Sequence, residues 1–177
     1  MRTVVTGRMG KIVYAHLEPG EDLYQALMEV VETEDIKTGL VMDITGGLTE
    51  VRLSMPTHGY LRHKHVPGVI EMDGLSEVSG HGIIGRGMAD WSFPFGGIEN
   101  VKDKPYLHVH LSVTAQGVSH TGHLIDGCRV MGNPDEAPSH FTVVLAEVDG
   151  VNLEFHATEK TERYRHGLAY HKLTAEN

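Results

Sequence analysis

The chain has 177 residues, of which 40% are hydrophobic and 22% charged, with a formal charge of −9 when its 13 histidines are neutral. That length suits a single domain with a real core, and the acidic balance disfavours unaided binding to nucleic acid, which relies on Lys and Arg to neutralise phosphates. No apolar run approaches the roughly 20 residues of a membrane span, Met1–Val5 lacks the apolar centre of a signal peptide, and the single cysteine, Cys128, excludes an internal disulfide framework. A cytoplasmic location is therefore expected.

Arg8 to Leu17 alternates loosely and reads as a first strand. Pro19-Gly20 breaks that pattern, and the acidic pair Glu21-Asp22 suits a helix N-terminus. Leu23, Ala26, Leu27, Val30 and Val31 then recur on one helical face, which predicts an amphipathic helix over about residues 21–34. Its Glu29, Glu32 and Glu34 belong to the solvated side. Gly39–Thr45 and Leu48–Leu53 read as strands around Gly46-Gly47, where a tight turn, a bend or a bulge is expected. Neither a GxGxxG nor a P-loop pattern is present there.

Residues 54–68 read as a loop containing His58, His63 and His65, with Arg62-His63-Lys64-His65 the one local basic run. Val69–Ile84 resumes as one or two strands and carries Glu71, Glu77 and His81. Each carboxylate is a candidate general base or ligand if a metal lies nearby, and a surface residue otherwise. Residues 86–104 form an excursion with Trp91, Phe93 and Phe95, whose default role is packing.

Pro105–Leu124, PYLHVHLSVTAQGVSHTGHL, carries the most chemistry. Two alternating runs flank Gln116-Gly117, a suitable two-residue hairpin loop. That loop would pair Ala115 with Val118, Ser112 with Thr121 and His110 with His123. Residues two apart on a strand, and residues directly opposed across a pair, share a face. His108, His110 and His123 therefore fall together, beside Ser112, Thr114, Ser119 and Thr121. Val109, Leu111, Val113, Gly122 and Leu124 form the core face, which also receives His120. Three imidazoles so placed suit one divalent ion with an open fourth position. The plainer reading of an HxH pair is a half-exposed polar face, and a one-residue slip of register would separate the histidines.

Ile125–Val130 is expected to continue as strand, 131–140 as a Pro/Gly/acidic loop with His140, Phe141–Val148 as strand, and Asp149-Gly150 as a hairpin turn into Val151–Phe155. The tail from Ala157 is charged. The whole reads as α+β with a mainly antiparallel sheet. A cupin site is set aside, because Thr114, Ala115 and Gln116 stand where a cupin glutamate would follow the second histidine.

From Arg8 to Leu173 the chain resembles the PPC (plants and prokaryotes conserved) domain, the DUF296 family. The resemblance rests on Pro19-Gly20-Glu21-Asp22-Leu23, on Ile36…Gly39…Ile44…Gly46-Gly47-Leu48, on Glu71–Ile84, on Leu107-His108-Val109-His110-Leu111, on Gly122-His123-Leu124 and on Ala146-Glu147-Val148. It implies a compact single domain over 1–177, assembly as a homotrimer, and a zinc or other divalent transition metal held by His108, His110 and His123. It also implies the DNA-binding label common to the family, although no Arg-Gly-Arg-Pro hook is present and Thr121-Gly122 replaces a usual Gly-Gly pair. Segments 54–68, 86–104 and 131–140 look inserted and are expected to build a pocket over the metal. Two functions follow: a metal-binding trimer of regulatory role with room for a small-molecule ligand, or a metal-dependent enzyme of hydrolase or lyase type.

Overall fold

The computed structural model describes residues 2–56, 67–88, 102–133, 135–158 and 169–176. In chain order the elements are β1 (Arg8–Leu17), α1 (Leu23–Thr33), β2 (Gly39–Pro56), β3 (Pro67–Gly87), β4 (Pro105–Ala115), β5 (Val118–Leu124), β6 (Arg129–Val130), β7 (Phe141–Asp149), β8 (Val151–Ala157) and β9 (Ala169–Ala175). The expected α+β class with one helix and a mainly antiparallel sheet is what the chain forms; the one parallel pairing among the described residues joins β3 to β8. None of the described helices is long and apolar enough to cross a membrane.

The helix begins at Leu23 because Asp22 serves as its cap. The Asp22 Oδ1 accepts from Tyr24 N at 3.0 Å and from Gln25 N at 3.2 Å, two of the donors a helix start leaves open. Its Oδ2 accepts from Gly127 N at 2.7 Å and so ties the helix to the segment after β5. Leu23, Tyr24, Ala26, Leu27 and Val31 are buried, so the apolar stripe seen in the sequence packs onto the sheet. Asp35, at φ 54°, closes the helix in the left-handed conformation, and Ile36 N donates back to Val31 O at 3.0 Å.

β2 is the spine of the sheet. One edge pairs with β3 from Gly39↔Ile84 to Pro56↔Pro67, and the other takes β7, then β6, then β5. β5 pairs with β4 and β4 with β3, so the pairings β2–β3–β4–β5 close on themselves. Closure leaves an enclosed face that fills with side chains. Leu53, Ile44, Leu48, Leu111, Val113, Val143 and Leu145 are all fully buried, each contributing about 1.5–3 kcal/mol.

Three expectations are corrected, and the tail adds a strand. Gly46-Gly47 does not separate two strands; β2 runs through it, with register shifts on either side. A Cβ on Gly46, at φ 155°, would lie 2.6 Å from the Phe141 ring, so the core packs against bare backbone there. The strand expected over Ile125–Val130 breaks after Leu124, because the Gly127 amide is taken by Asp22, and only Arg129–Val130 rejoins β2. Asp149-Gly150 turns the chain but makes no β7–β8 hairpin. Both edges of β7 are already filled by β1 and β2, so β8 goes to β3 and β9. The charged tail contains a strand, β9, paired with β8 from Val151↔Ala175 to Ala157↔Ala169.

Of the expected insertions, His58, His63, His65, Trp91, Phe93 and Phe95 lie outside the described residues. The segment 131–140 is anchored elsewhere than over the histidines: Met131 N donates to Gly47 O at 2.9 Å, Gly132 abuts Pro19, and the Ser139 hydroxyl donates to Leu17 O. His140 is exposed. Cys128 is free and fully buried.

Asp22→Ala removes the cap and leaves the Gly127 amide unpaired. It is expected to lower stability by about 1–3 kcal/mol, read as a reduced urea midpoint at unchanged slope.

Candidate metal centre

The site starts from alternation on β4. Leu107, Val109, Leu111 and Val113 are 0–2% exposed, so His108, His110, Ser112 and Thr114 take the opposite face. Gln116 and Gly117, at φ 51° and 78°, make the two-residue turn. Two consecutive left-handed residues match the twist of paired strands. The register that follows is Ala115↔Val118, Thr114↔Ser119, Ser112↔Thr121 and His110↔His123, as the sequence pattern required. Hydroxyl contacts along the same face reinforce it, Ser112 with Thr121 at 3.1 Å and Thr114 with Ser119 at 2.8 Å. His120 pairs with Val113, on the other face.

β3 flanks β4 with His81 opposite His110 and Ile83 opposite His108. Gly82 lies between them because a Cβ there would sit 2.4 Å from the His108 carbonyl oxygen. β2 flanks β5 at two positions, with Leu53 opposite Leu124 and Ser54 opposite His123.

The three histidines converge through the same ring atom. The Nε2 of His108 lies 3.1 Å from that of His110 and 3.1 Å from that of His123. All three ligand atoms fall within 4.8 Å of one another. Zinc at 2.0–2.1 Å from each nitrogen in tetrahedral geometry would set these separations at about 3.3–3.4 Å. The His108–His110 and His108–His123 separations need to open by only a few tenths of an ångström. Burial, then the neighbouring His123, His110 and His171, depresses the His108 pKa to about 4. His110 and His123 are also lowered, each chiefly by burial. Neutral imidazoles carry the free lone pair a metal requires.

Two buried polar atoms lie beside the cluster. Ser54 Oγ and His108 Nδ1 are the buried side-chain polar atoms without a hydrogen-bond partner among the described residues, and both belong to this cluster or its immediate pairing. Buried polar atoms are nearly always partnered.

Neither candidate carboxylate joins the cluster. Glu71 is bound to Arg52 at 3.1 Å on an exposed surface. Glu77 is opposite Thr114, four residues from His110 and so about 13 Å along the strand. Sequence reasoning missed His171. It sits on β9 with its ring centroid 5.4 Å from that of His108. The alternation Tyr170–Thr174 was a readable strand signal, but nothing local shows that this strand reaches β4. His81, His108, His110 and His171 line an open cleft of about 580 Å³, whose walls also include Leu40, Met42 and Ile83.

The family model of the Plants and Prokaryotes Conserved (PCC) domain matches residues 4–137. Among solved structures, a plant- and prokaryote-conserved protein of Pyrococcus horikoshii is similar at 19% identity and TM-score 0.66, over 94% of this chain and 96% of that one. A metal-containing protein of Archaeoglobus fulgidus follows at 18% identity and TM-score 0.65, over 94% and 98%. A candidate DNA-binding protein of Bacteroides thetaiotaomicron is similar at 13% identity and TM-score 0.62, over 94% and 96%. No curated protein matches. At these identities the structural likeness establishes the fold.

In the metal-free protein, an NMR titration is expected to show His108 neutral down to pH 5 and gaining its proton near pH 4. A midpoint at the ordinary histidine value of 6.5 would show that burial does not govern this ring.

Proposed function

Because the chain belongs to the Plants and Prokaryotes Conserved family, we propose that it is a homotrimeric protein that holds one zinc, or another divalent transition metal, per chain on His108, His110 and His123. The observation that carries this reading is the convergence of three neutral Nε2 atoms from two adjacent strands. A metal-containing relative of the same fold supports it. Imidazole suits several first-row metals, and a three-nitrogen tetrahedral set is most typical of zinc.

When bound, the ion would act as a Lewis acid at its open position. The chain's own residues define what meets it. Three neutral ligands add no negative charge, and among the described residues no carboxylate is grouped with them. The site therefore favours an anionic or strongly polar small molecule. Leu40, Met42 and Ile83 give that molecule an apolar wall, and His81 and His171 give it polar contacts at the rim.

The trimer is supported by the sheet's outer face. Tyr14 and Ile12 on β1 are 74% and 52% exposed, and Met42 on β2 is 44% exposed. Val144, half-buried on β7 between them, pairs with Tyr14. The apolar band so formed runs toward the histidine cleft and is suited to burial against further copies. A buried free thiol at Cys128 agrees with a cytoplasmic setting.

A second reading is a metal-dependent enzyme of hydrolase or lyase type, favoured by the cleft that adjoins the cluster. Its base would come from His81, which lines that cleft, rather than from Glu71 or Glu77. Direct DNA binding, suggested by two similar structures of candidate DNA-binding proteins, is opposed by the charge of −9.

Elemental analysis of tag-free protein is expected to give about one zinc per chain, lost in the His108→Ala/His110→Ala variant. Light scattering is expected to give three times the chain mass. A metal-free wild type after zinc reconstitution would overturn the metal reading, and a monomer would overturn the trimer. A DNA gel shift that weakens steeply with salt would restore the nucleic-acid role.

A further inference from the structure

His108 directs Nε2 at His110 and His123, 3.1 Å from each, so its Nδ1 points away from both. That Nδ1 is buried and has no hydrogen-bond partner among the described residues. A histidine that binds metal through Nε2 carries its proton on Nδ1, and metal-binding histidines nearly always donate that proton to an acceptor. The orphaned atom is thus a donor awaiting a partner.

His171 is the ring positioned to supply one. Its centroid lies 5.4 Å from that of His108 at an interplanar angle of 62°. Its other ring contacts are with Tyr106 at 5.7 Å and Phe155 at 6.2 Å. Among the described residues no ring contact joins it to His110 or His123, so His108 is the histidine of the cluster that it approaches. Two imidazoles linked by an ordinary N–H···N hydrogen bond have centroids about 5 Å apart. The observed separation is within a few tenths of that. The His171 side chain is exposed, which leaves its ring room to turn about the outer side-chain torsion.

The backbone beneath it is well held. β9 pairs His171 with Phe155 on β8, β8 pairs with β3 at Gly87↔Phe155, and the Phe155 ring stacks on Tyr106 at 4.1 Å. Tyr106 is two residues from His108 on the same strand, so the stack transmits the position of β9 directly to the site. β9 lies beyond residues 4–137, the part of the chain that the family model matches.

We propose that His171 is a positioning residue of the metal centre, accepting a hydrogen bond from His108 Nδ1–H and so fixing the tautomer that presents Nε2 to the ion. This rests on the metal reading above. The C-terminal hairpin then acts as a support for the centre rather than an appendage to the fold.

The test compares wild type with His171→Phe, which keeps a ring against Tyr106 and Phe155 but offers no acceptor, and His171→Gln, which keeps an acceptor oxygen. Zinc affinity is measured by competition with a chromophoric chelator. Long-range proton–nitrogen NMR spectra of the zinc-loaded proteins locate the His108 proton. H171F is expected to bind zinc about 10–100-fold more weakly at an unchanged melting temperature of the metal-free protein. H171Q is expected to stay within a few-fold of wild type. The His108 Nδ1–H signal should be shifted downfield in wild type and H171Q, and lose that shift in H171F.

Equal zinc affinity in wild type and H171F, or equal losses in H171F and H171Q, would overturn the assignment while leaving the metal centre in place. If H171F fails to fold, a wild-type His108 with its proton on Nε2, or on an Nδ1 without the downfield shift, would overturn it equally. A wild type that takes up no zinc would remove the metal reading itself, and this inference with it.

Discussion

Gln116 and Gly117 both take left-handed backbone angles, and the register they impose on β4 and β5 is the constraint on which the candidate site depends. Side chains alternate with a period of two along a strand, so a slip of one residue would send His123 to the core face and bring His120 out. The slip is opposed from both sides. Leu111 and Val113 are fully buried on one face, and the Ser112–Thr121 and Thr114–Ser119 hydroxyl pairs occupy the other. The histidines come together because the hydrophobic pattern and the turn chemistry agree.

Closure of the β2–β3–β4–β5 circuit supplies the second requirement. A flat hairpin would hold the three rings in water at ordinary pKa values. Here β3 runs close against β4 through Gly82, β2 reaches β5 at Ser54↔His123, and the β8–β9 hairpin comes over Tyr106. Partial burial keeps the imidazoles neutral. The same burial strands His108 Nδ1 and Ser54 Oγ. A folded protein rarely leaves such atoms unpaired unless a bound species or a rotation of neighbours satisfies them.

What was legible in the sequence was whatever depends on near neighbours. The α1 face, the β4–β5 register and the grouping of His108, His110 and His123 all follow from spacings of two or four residues and one short turn. The errors arose where a strand's partner is distant. Asp149-Gly150 has good hairpin residues, yet β7 is already flanked on both edges, which no local pattern reveals. Gly46-Gly47 resembled a junction because its glycines make room for Phe141, nearly a hundred positions away. His171 was invisible for the same reason, since β9 reaches His108 only through β8 and β3. Glu71 and Glu77 were nominated from chemistry without a location; one is committed to Arg52 and the other lies down the strand.

The most direct measurement of the central claim is anomalous diffraction at the zinc absorption edge from crystals of the zinc-reconstituted protein. The account predicts one strong peak per chain, about 2.0–2.1 Å from the Nε2 atoms of His108, His110 and His123. No peak at that point, or zinc bound elsewhere with these three rings unligated, would contradict it.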